Sequence, residues 1–425
     1  MRVKIYFTRG VFRYWPVFLK LFCWLIGAVP DFLNFLGSGL TMSLLMVYLH
    51  DIRGISIATA GFLLAWQAVI GIAMTAPIGY LIDRHGPVRV MVPGILMEAV
   101  AVASISWVQT VPQAFVVATL GAICGATIWP SQTTLYSQLT QPKDRERVFA
   151  LSFMFLNLGL GIGGLLTSAI VRDGDAARFE LLYRIDAATY LFLAIAVWTV
   201  RTHAAAARET FDRQRAAEGS YAEVLRDRRL QRLALGGVVT FICGYGSVMS
   251  GVPVFATQQL DLSVRWLGVI YGVNTFLIVA FQALVVSRIR GRSRSLVMAS
   301  VGAIWALSWI AMGMAQFVAP VLLLVVAQGV FAVGEMLWAP VGPAVVNSIA
   351  PDELRGRYNA VVGLQWGISG IVGPALTGFM LARDLAAQWI GLLFVGSLLG
   401  AALLGSLRRL LDPVTDGRVA ESAHD

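Results

Sequence analysis

A chain of 425 residues with 57% hydrophobic and only 13% charged side chains lacks the polar groups to cover a water-facing surface, because soluble domains carry roughly a quarter charged residues. Its mean hydropathy of +0.73 excludes a soluble globular protein and makes lipid the outer solvent. A formal net charge of +9 leaves two kinds of anionic partner, nucleic acid or lipid, and the placement of the basic residues decides between them.

The first 20 residues, MRVKIYFTRGVFRYWPVFLK, are basic and aromatic. The apolar run behind them is too long for a signal-peptide core and lacks a clear small-residue cleavage site. The segment is therefore expected to be retained at the membrane surface. Twelve segments long enough to cross about 30 Å of hydrocarbon come next: 20–49, 56–81, 89–109, 112–139, 147–171, 182–200, 231–257, 264–287, 295–316, 318–347, 358–382 and 388–407. Those at 112–139 and 318–347 exceed one membrane thickness, so they tilt, kink at Pro130, Pro340 and Pro343, or protrude. The longest polar stretch, 201–230, divides the chain into a six-helix bundle (1–200), a central loop, a second six-helix bundle (231–411) and a tail (412–425). Such an interruption points to internal duplication. Within the loop, Tyr221, Val224 and Leu225 among Arg226, Arg228 and Arg229 suit either a short helix on the inner surface or a solvated linker. The expected fold class is an all-α membrane protein with twelve transmembrane helices in two six-helix bundles.

With the N-terminus inside, only Arg53, Arg172, Arg178, Arg184, Arg265 and Arg383 of the 33 Lys and Arg residues fall on the outer side. That bias places both termini in the cytoplasm and the chain in a plasma or inner membrane. The positive charge then faces anionic lipid, and no nucleic acid need be invoked. Cys23, Cys124 and Cys243 all lie in apolar segments, so they suit packing and give no disulfide framework or metal spacing. His50, His85, His203 and His424 are scattered in or near loops and the tail. No nucleotide loop, metal cluster or catalytic triad is visible, so neither an enzyme, a cofactor nor a metal is expected.

Between spans two and three lies GYLIDRHGPVRVM (79–91). Gly86 permits a tight reversal and Gly79 a close helix approach. Asp83 is an anion able to sit on a helix N-terminus or pair with Arg, which a positive-inside loop alone does not require. The stretch therefore reads as a latch. It resembles the major facilitator superfamily signature in this loop: Gly79, Leu81, Asp83, Arg84 and Gly86 match in order. Pro87 replaces the first basic residue, and Arg89 can stand for a later one. The resemblance implies that the partner is the start of span eleven, PDELRGRYNA (351–360) with Arg355, and that the latch holds the inner side closed. The equivalent turn in the second half, SRIRGRSRS (287–295), has no acid, so the latch is expected in the first half only. NLGLGIGG (157–164), with Gly159, Gly163 and Gly164, is similar to the family's antiporter motif except for Leu160 in place of proline. Span eleven has its own version in Gly373 and Pro374. Glycine-rich packing also occurs in most membrane bundles. The span-four arginine of some family members has no counterpart, since 112–139 contains no Lys or Arg.

Ionisable groups near the bilayer centre are costly and so are functional candidates. Asp31 lies eleven residues after Lys20, about 16 Å along span one; Glu335 lies deep in span ten, and Glu98 in span three. The family resemblance implies that spans 1, 4, 7 and 10 line a central cavity, which puts Asp31 and Glu335 on lining helices of opposite halves. A cavity carboxyl can take up a proton on one side of the membrane and release it on the other, where water or a cationic substrate stabilises the anion. The alternative for each is a structural hydrogen bond to a neighbouring helix. Other lining candidates are Asn34, Trp129, Gln132, Tyr136, Tyr245, Met249, Trp338 and Asn347, with Gln67, Asn157, Asn274 and Gln365 within reach; Trp and Tyr also anchor helices at interfaces. The pattern fits a pocket for amphiphilic organic molecules and a monomeric, proton-coupled exporter of small molecules that rocks its halves about a midplane site. A dedicated metabolite or lipid carrier is the alternative, and a non-transporting receptor or scaffold the alternative of another class.

Overall fold

The computed structural model describes residues 29–42, 45, 48–171, 176–206, 220–263 and 265–418. Among the described residues it is all-helical, with a first helix, α1 (29–41), followed by eleven helices long and apolar enough to cross a membrane: α2 (Ile57–His85), α3 (Pro87–Ile105), α4 (Val111–Leu139), α5 (Arg145–Ile170), α6 (Ala176–Thr199), α7 (Arg228–Gln259), α8 (Arg265–Ile289), α9 (Arg294–Met314), α10 (Pro320–Ile349), α11 (Arg355–Leu381) and α12 (Ala386–Ser406). Cys23 and the basic N-terminal segment lie outside the described residues.

Local chemistry sets the ends of the helices. Ser56 caps α2 by accepting Thr59 N, Thr110 and Gln113 form a capping box on α4, and Pro87 and Pro320 occupy the first positions of α3 and α10, where a missing N–H is no loss. The reversal between α2 and α3 turns on Gly86, whose φ of 90° strains any residue with a Cβ. Helix α4 runs unbroken for 29 residues and α10 for 30. At 1.5 Å per residue α10 is about 45 Å long, so these helices pass the prolines without a break and exceed one hydrocarbon thickness. Helix α6 starts at Ala176, six residues before the start read from hydropathy.

Helix α3 packs on α4 and α6 in the first half, and α9 on α10 and α12 in the second. The halves meet along α2 with α11 and along α5 with α8 and α10. The second half has the larger core: Trp305 stacks on Phe331 at 4.5 Å and donates Nε1–H to the Phe331 carbonyl, while Trp309 bonds the Cys243 carbonyl. These donors are satisfied inside the bundle, as a lipid-bathed protein requires.

Candidate transport site and latch

Asp31 is 4% exposed on α1. Its carboxylate accepts Gln132 Nε2 at 2.9 Å and the Tyr136 hydroxyl, both from α4, and Gln132 also donates to Tyr136 at 3.0 Å. Glu335 on α10 is 6% exposed and accepts Asn274 Nδ2 from α8 at 2.5 Å and the Tyr245 hydroxyl from α7. Each acid is therefore held by two polar groups of its own half, and these bonds keep Asp31 and Glu335 on separate partners.

Tyr245 lies in a π-turn, Ile242–Gly246, and such turns shift a helix face locally. Its ring meets Trp305, Phe331 and Trp366, while Trp338 packs on Phe241 at 5.2 Å. The other expected residues are more scattered. Asn34 reaches Thr189 on α6, Asn157 donates to the Phe153 carbonyl of its own helix, and Trp129 and Met249 are exposed. Glu98 faces a small pocket of about 70 Å³ between α2, α3 and α4 that it shares with Gln67, and its Oε2 is buried without a partner.

A fourth intramembrane acid is absent from the candidates read from the sequence. Asp186 on α6 is 2% exposed; it accepts the Thr41 hydroxyl at 2.6 Å and leaves Oδ1 without a partner. Hydropathy began this span at 182 and so put Asp186 near its mouth, whereas the helix begins at Ala176. The signal was present as an acid in an apolar run, ten residues after that start.

Asp83 is 3% exposed and sits on the first turn of α11. It accepts Gly356 N at 2.5 Å, Arg357 N at 3.1 Å and Arg357 Nη1 at 3.1 Å. An anion on a helix N-terminus with a bidentate-capable guanidinium combines two favourable electrostatic terms. Gly79 and Gly356 make this approach possible: a Cβ on Gly356 would lie 2.7 Å from both Asp83 Oδ1 and the Gly79 carbonyl. The guanidinium at the latch is that of Arg357, in place of Arg355. Arg355 instead pairs with Asp352, one turn outward. Arg84 bonds the Tyr80 hydroxyl, and Arg89 is exposed without a polar partner among the described residues; neither touches Asp83.

The central loop contributes to the latch through a short helix, Tyr221–Arg226, capped by Ser220. Tyr221 donates its hydroxyl to the Ala76 carbonyl at 2.5 Å and, with Tyr80, flanks the Arg357 guanidinium. Asp227, which caps α7, accepts the Tyr358 hydroxyl at 2.8 Å. Partial burial pushes the Asp227 carboxyl up, but hydrogen bonds from Arg229 and Tyr358 outweigh it and hold the group below the usual carboxylate range.

The second half carries a counterpart that corrects the expectation of a single latch. Arg294, at the start of α9, pairs with Glu146 on α5 at 2.6 Å, so basic turn and acidic helix have exchanged roles. The acid missing from this turn comes from the tail: Asp416 is 0% exposed and accepts Ser295 N at 2.8 Å and the Ser293 hydroxyl at 2.7 Å, while Thr415 O accepts Arg294 Nη1 at 2.9 Å. Between the two latches Arg145 reaches the Asn347 and Ser137 carbonyls, and Asn359 links Asn347 to Thr134. The same end of the molecule is thus closed by three polar layers across the two halves. Removing a buried acceptor at a helix start costs about 1–3 kcal/mol. Asp416→Ala is accordingly expected to speed amide hydrogen exchange at Ser295 and Leu296 about tenfold or more; unchanged protection would show that the tail does not hold the turn.

Glycine pairs build the helix crossings inside each half. Gly159 and Gly163 of α5 sit against Phe35, Leu36 and Gly39 of α1, and Gly373 of α11 sits against Gly246 of α7. Gly163 and Gly373 are 210 positions apart, as are Arg84 and Arg294, so the two halves place these features at equal spacing. Gly164 has open space around it and Pro374 is exposed, so neither takes part in the crossing.

Residues 31–315 and 291–424 match the family model described as Major Facilitator Superfamily. The chain belongs to the major facilitator superfamily. Among its relatives in this superfamily are a Na(+), Li(+), K(+)/H(+) antiporter of Planococcus maritimus, 24% identical over 74% of this chain and 80% of that protein, and the class H tetracycline resistance protein of Pasteurella multocida, 24% identical over 88% and 92%. The fold is shared with a bacterial homologue of the iron transporter ferroportin in its outward-facing state, at TM-score 0.74 and 12% identity over 91% of this chain and 99% of that one. It is also shared with the human organic anion transporter MFSD10, at TM-score 0.70 and 16% identity over 89% and 98%. The protein is therefore a multi-pass membrane transporter, and no catalytic family is indicated.

Proposed function

We propose that this transporter is a proton-coupled exporter of amphiphilic small molecules, acting as a monomer in a plasma or inner membrane with both termini in the cytoplasm. The observation that carries the reading is a buried carboxyl in each half, Asp31 and Glu335, each reached by an amide and a tyrosine hydroxyl of its own half. A carboxyl at this depth is costly even with partners, which makes one in each half a candidate for binding and releasing a proton during a cycle. Polar donors beside it supply a resting place for the anion. Proton release from one acid and substrate arrival at the other can then be linked through rocking of the halves. The aromatic walls around Tyr245 and Trp338 suit an amphiphile, and the relative named for tetracycline resistance supports that substrate class. The latches act as the cytoplasmic gate, with Asp83 on α11 as its main tie.

A second reading, exchange of protons for alkali cations, has the Asp186 and Glu98 carboxyls of the first half behind it, together with the relative named as a cation antiporter. One experiment separates the two. In liposomes reconstituted with purified protein and loaded with a pH-sensitive dye, an imposed proton gradient is expected to collapse on addition of a lipophilic cationic dye and to persist on addition of Na⁺ or K⁺. Collapse on Na⁺ or K⁺ alone supports cation exchange. No response to either, in a broad substrate screen, removes proton coupling.

A further inference from the structure

Between α5 and α8, on the same end of the molecule as the latches, lies an open groove of about 250 Å³. Arg147 enters it from the first half and Arg290 from the second, with Ser287 and the buried Gln282 beside them and Leu151 and Val286 as apolar wall. Both arginines are exposed, and neither has a hydrogen bond or ion pair among the described residues. Glu146, which precedes Arg147 in the chain, is engaged by Arg294. Gln282 is 1% exposed; its Nε2 donates to the Met336 carbonyl, and its Oε1 has no partner.

Two guanidinium groups facing one groove make a locally positive field that attracts an anion and can hydrogen-bond its oxygens. The apolar wall calls for a hydrocarbon chain. A buried acceptor left open calls for a donor such as a hydroxyl. We propose that this groove is a binding site for an anionic phospholipid with a hydroxylated headgroup, of the phosphatidylglycerol type. Its phosphodiester lies between Arg147 and Arg290, its headgroup hydroxyl near Gln282, and one acyl chain along Leu151 and Val286. Basic pockets between membrane helices on the cytoplasmic side bind such headgroups. Because one arginine comes from each half, the lipid ties α5 to α8 beside the Arg294–Glu146 pair and favours the closed arrangement of that end.

The test uses the full-length protein in detergent, with phosphatidylglycerol, phosphatidylcholine and inorganic phosphate as probes, read by native mass spectrometry. Phosphatidylglycerol is expected to give a saturable adduct and phosphatidylcholine a much weaker one. Two guanidinium groups near the membrane surface correspond to roughly thirtyfold in affinity, and Arg147→Gln/Arg290→Gln should lose about that much. Arg226→Gln/Arg228→Gln, with the same charge removed elsewhere, should keep the adduct. Equal phosphatidylglycerol affinity in the Arg147/Arg290 pair overturns the site. Equal binding of phosphatidylcholine removes the anionic headgroup, and millimolar phosphate displacing the lipid outright makes it a free-anion site. Should the glutamine pair not purify folded, Arg147→Lys/Arg290→Lys must retain the adduct and Arg290→Gln alone must weaken it severalfold; parent affinity in the single variant overturns the proposal equally.

Discussion

Asp83→Asn is expected to lower transport turnover about tenfold or more while leaving the substrate concentration at half-maximal rate within about twofold. The substitution keeps the shape of the side chain but removes the charge that the Gly356 and Arg357 amides and the Arg357 guanidinium all address. Arg357 is 1% exposed, and breaking a buried pair by removing one partner costs about 3–5 kcal/mol. Charged to the closed state alone, that shifts the balance between closed and open latch by roughly two to four powers of ten. The cycle then stalls in the step that must close this end, far from where substrate binds. Turnover and half-saturation in proteoliposomes check the split. In a background without the native cysteines, maleimide should also label Ala360→Cys, since Ala360 packs against Gly79 and is 0% exposed in the closed latch. Parent turnover together with a protected thiol at that position would retire the latch as a working part.

Neutral amides at the two midplane acids give the second large effect. Asp31→Asn and Glu335→Gln should each bring proton-driven efflux of a cationic dye in inverted vesicles down to background, with the protein still reaching the membrane. Folding survives because each amide still accepts Gln132 or Asn274 through its remaining carbonyl oxygen, whereas the group can no longer bind and release a proton. Substrate exchange down its own gradient, which needs no proton, should persist in both. Unchanged driven efflux in both variants would remove these acids as coupling groups. If instead only Asp186→Asn or Glu98→Gln abolished it, coupling would lie in the first half alone.

Sequence and structure differ most at the ends of helices. Lipid exposure forces each span to be a long uninterrupted run of apolar residues, and this made the twelve helices countable from composition. Gly86 and Asp83 announced a turn and an anion, because few residue types can occupy a left-handed backbone position or a helix-start contact. Neither hydropathy nor a motif carries the direction in which a side chain points from its helix. Arg355 therefore stood as the partner of Asp83, although residues two apart point about 200° from each other around a helix and Arg357 is the one aimed at α2. The second turn likewise read as lacking an acid, because Glu146 lies 148 positions from Arg294 in sequence and Asp416 sits in a tail with no periodic signal.

By itself the sequence determined the membrane class, the all-helical fold, the division into two six-helix halves and the residues at which charge enters the bilayer, since solvent polarity and chain spacing act on each segment alone. The tertiary structure decided which charges meet. Pairing Asp83 with Arg357, Glu146 with Arg294 and the tail with Ser295 depends on how two duplicated bundles cross. That crossing is set by close contacts such as Gly163 on Gly39 and Gly373 on Gly246, and it involves positions too far apart in the chain for any local pattern to link.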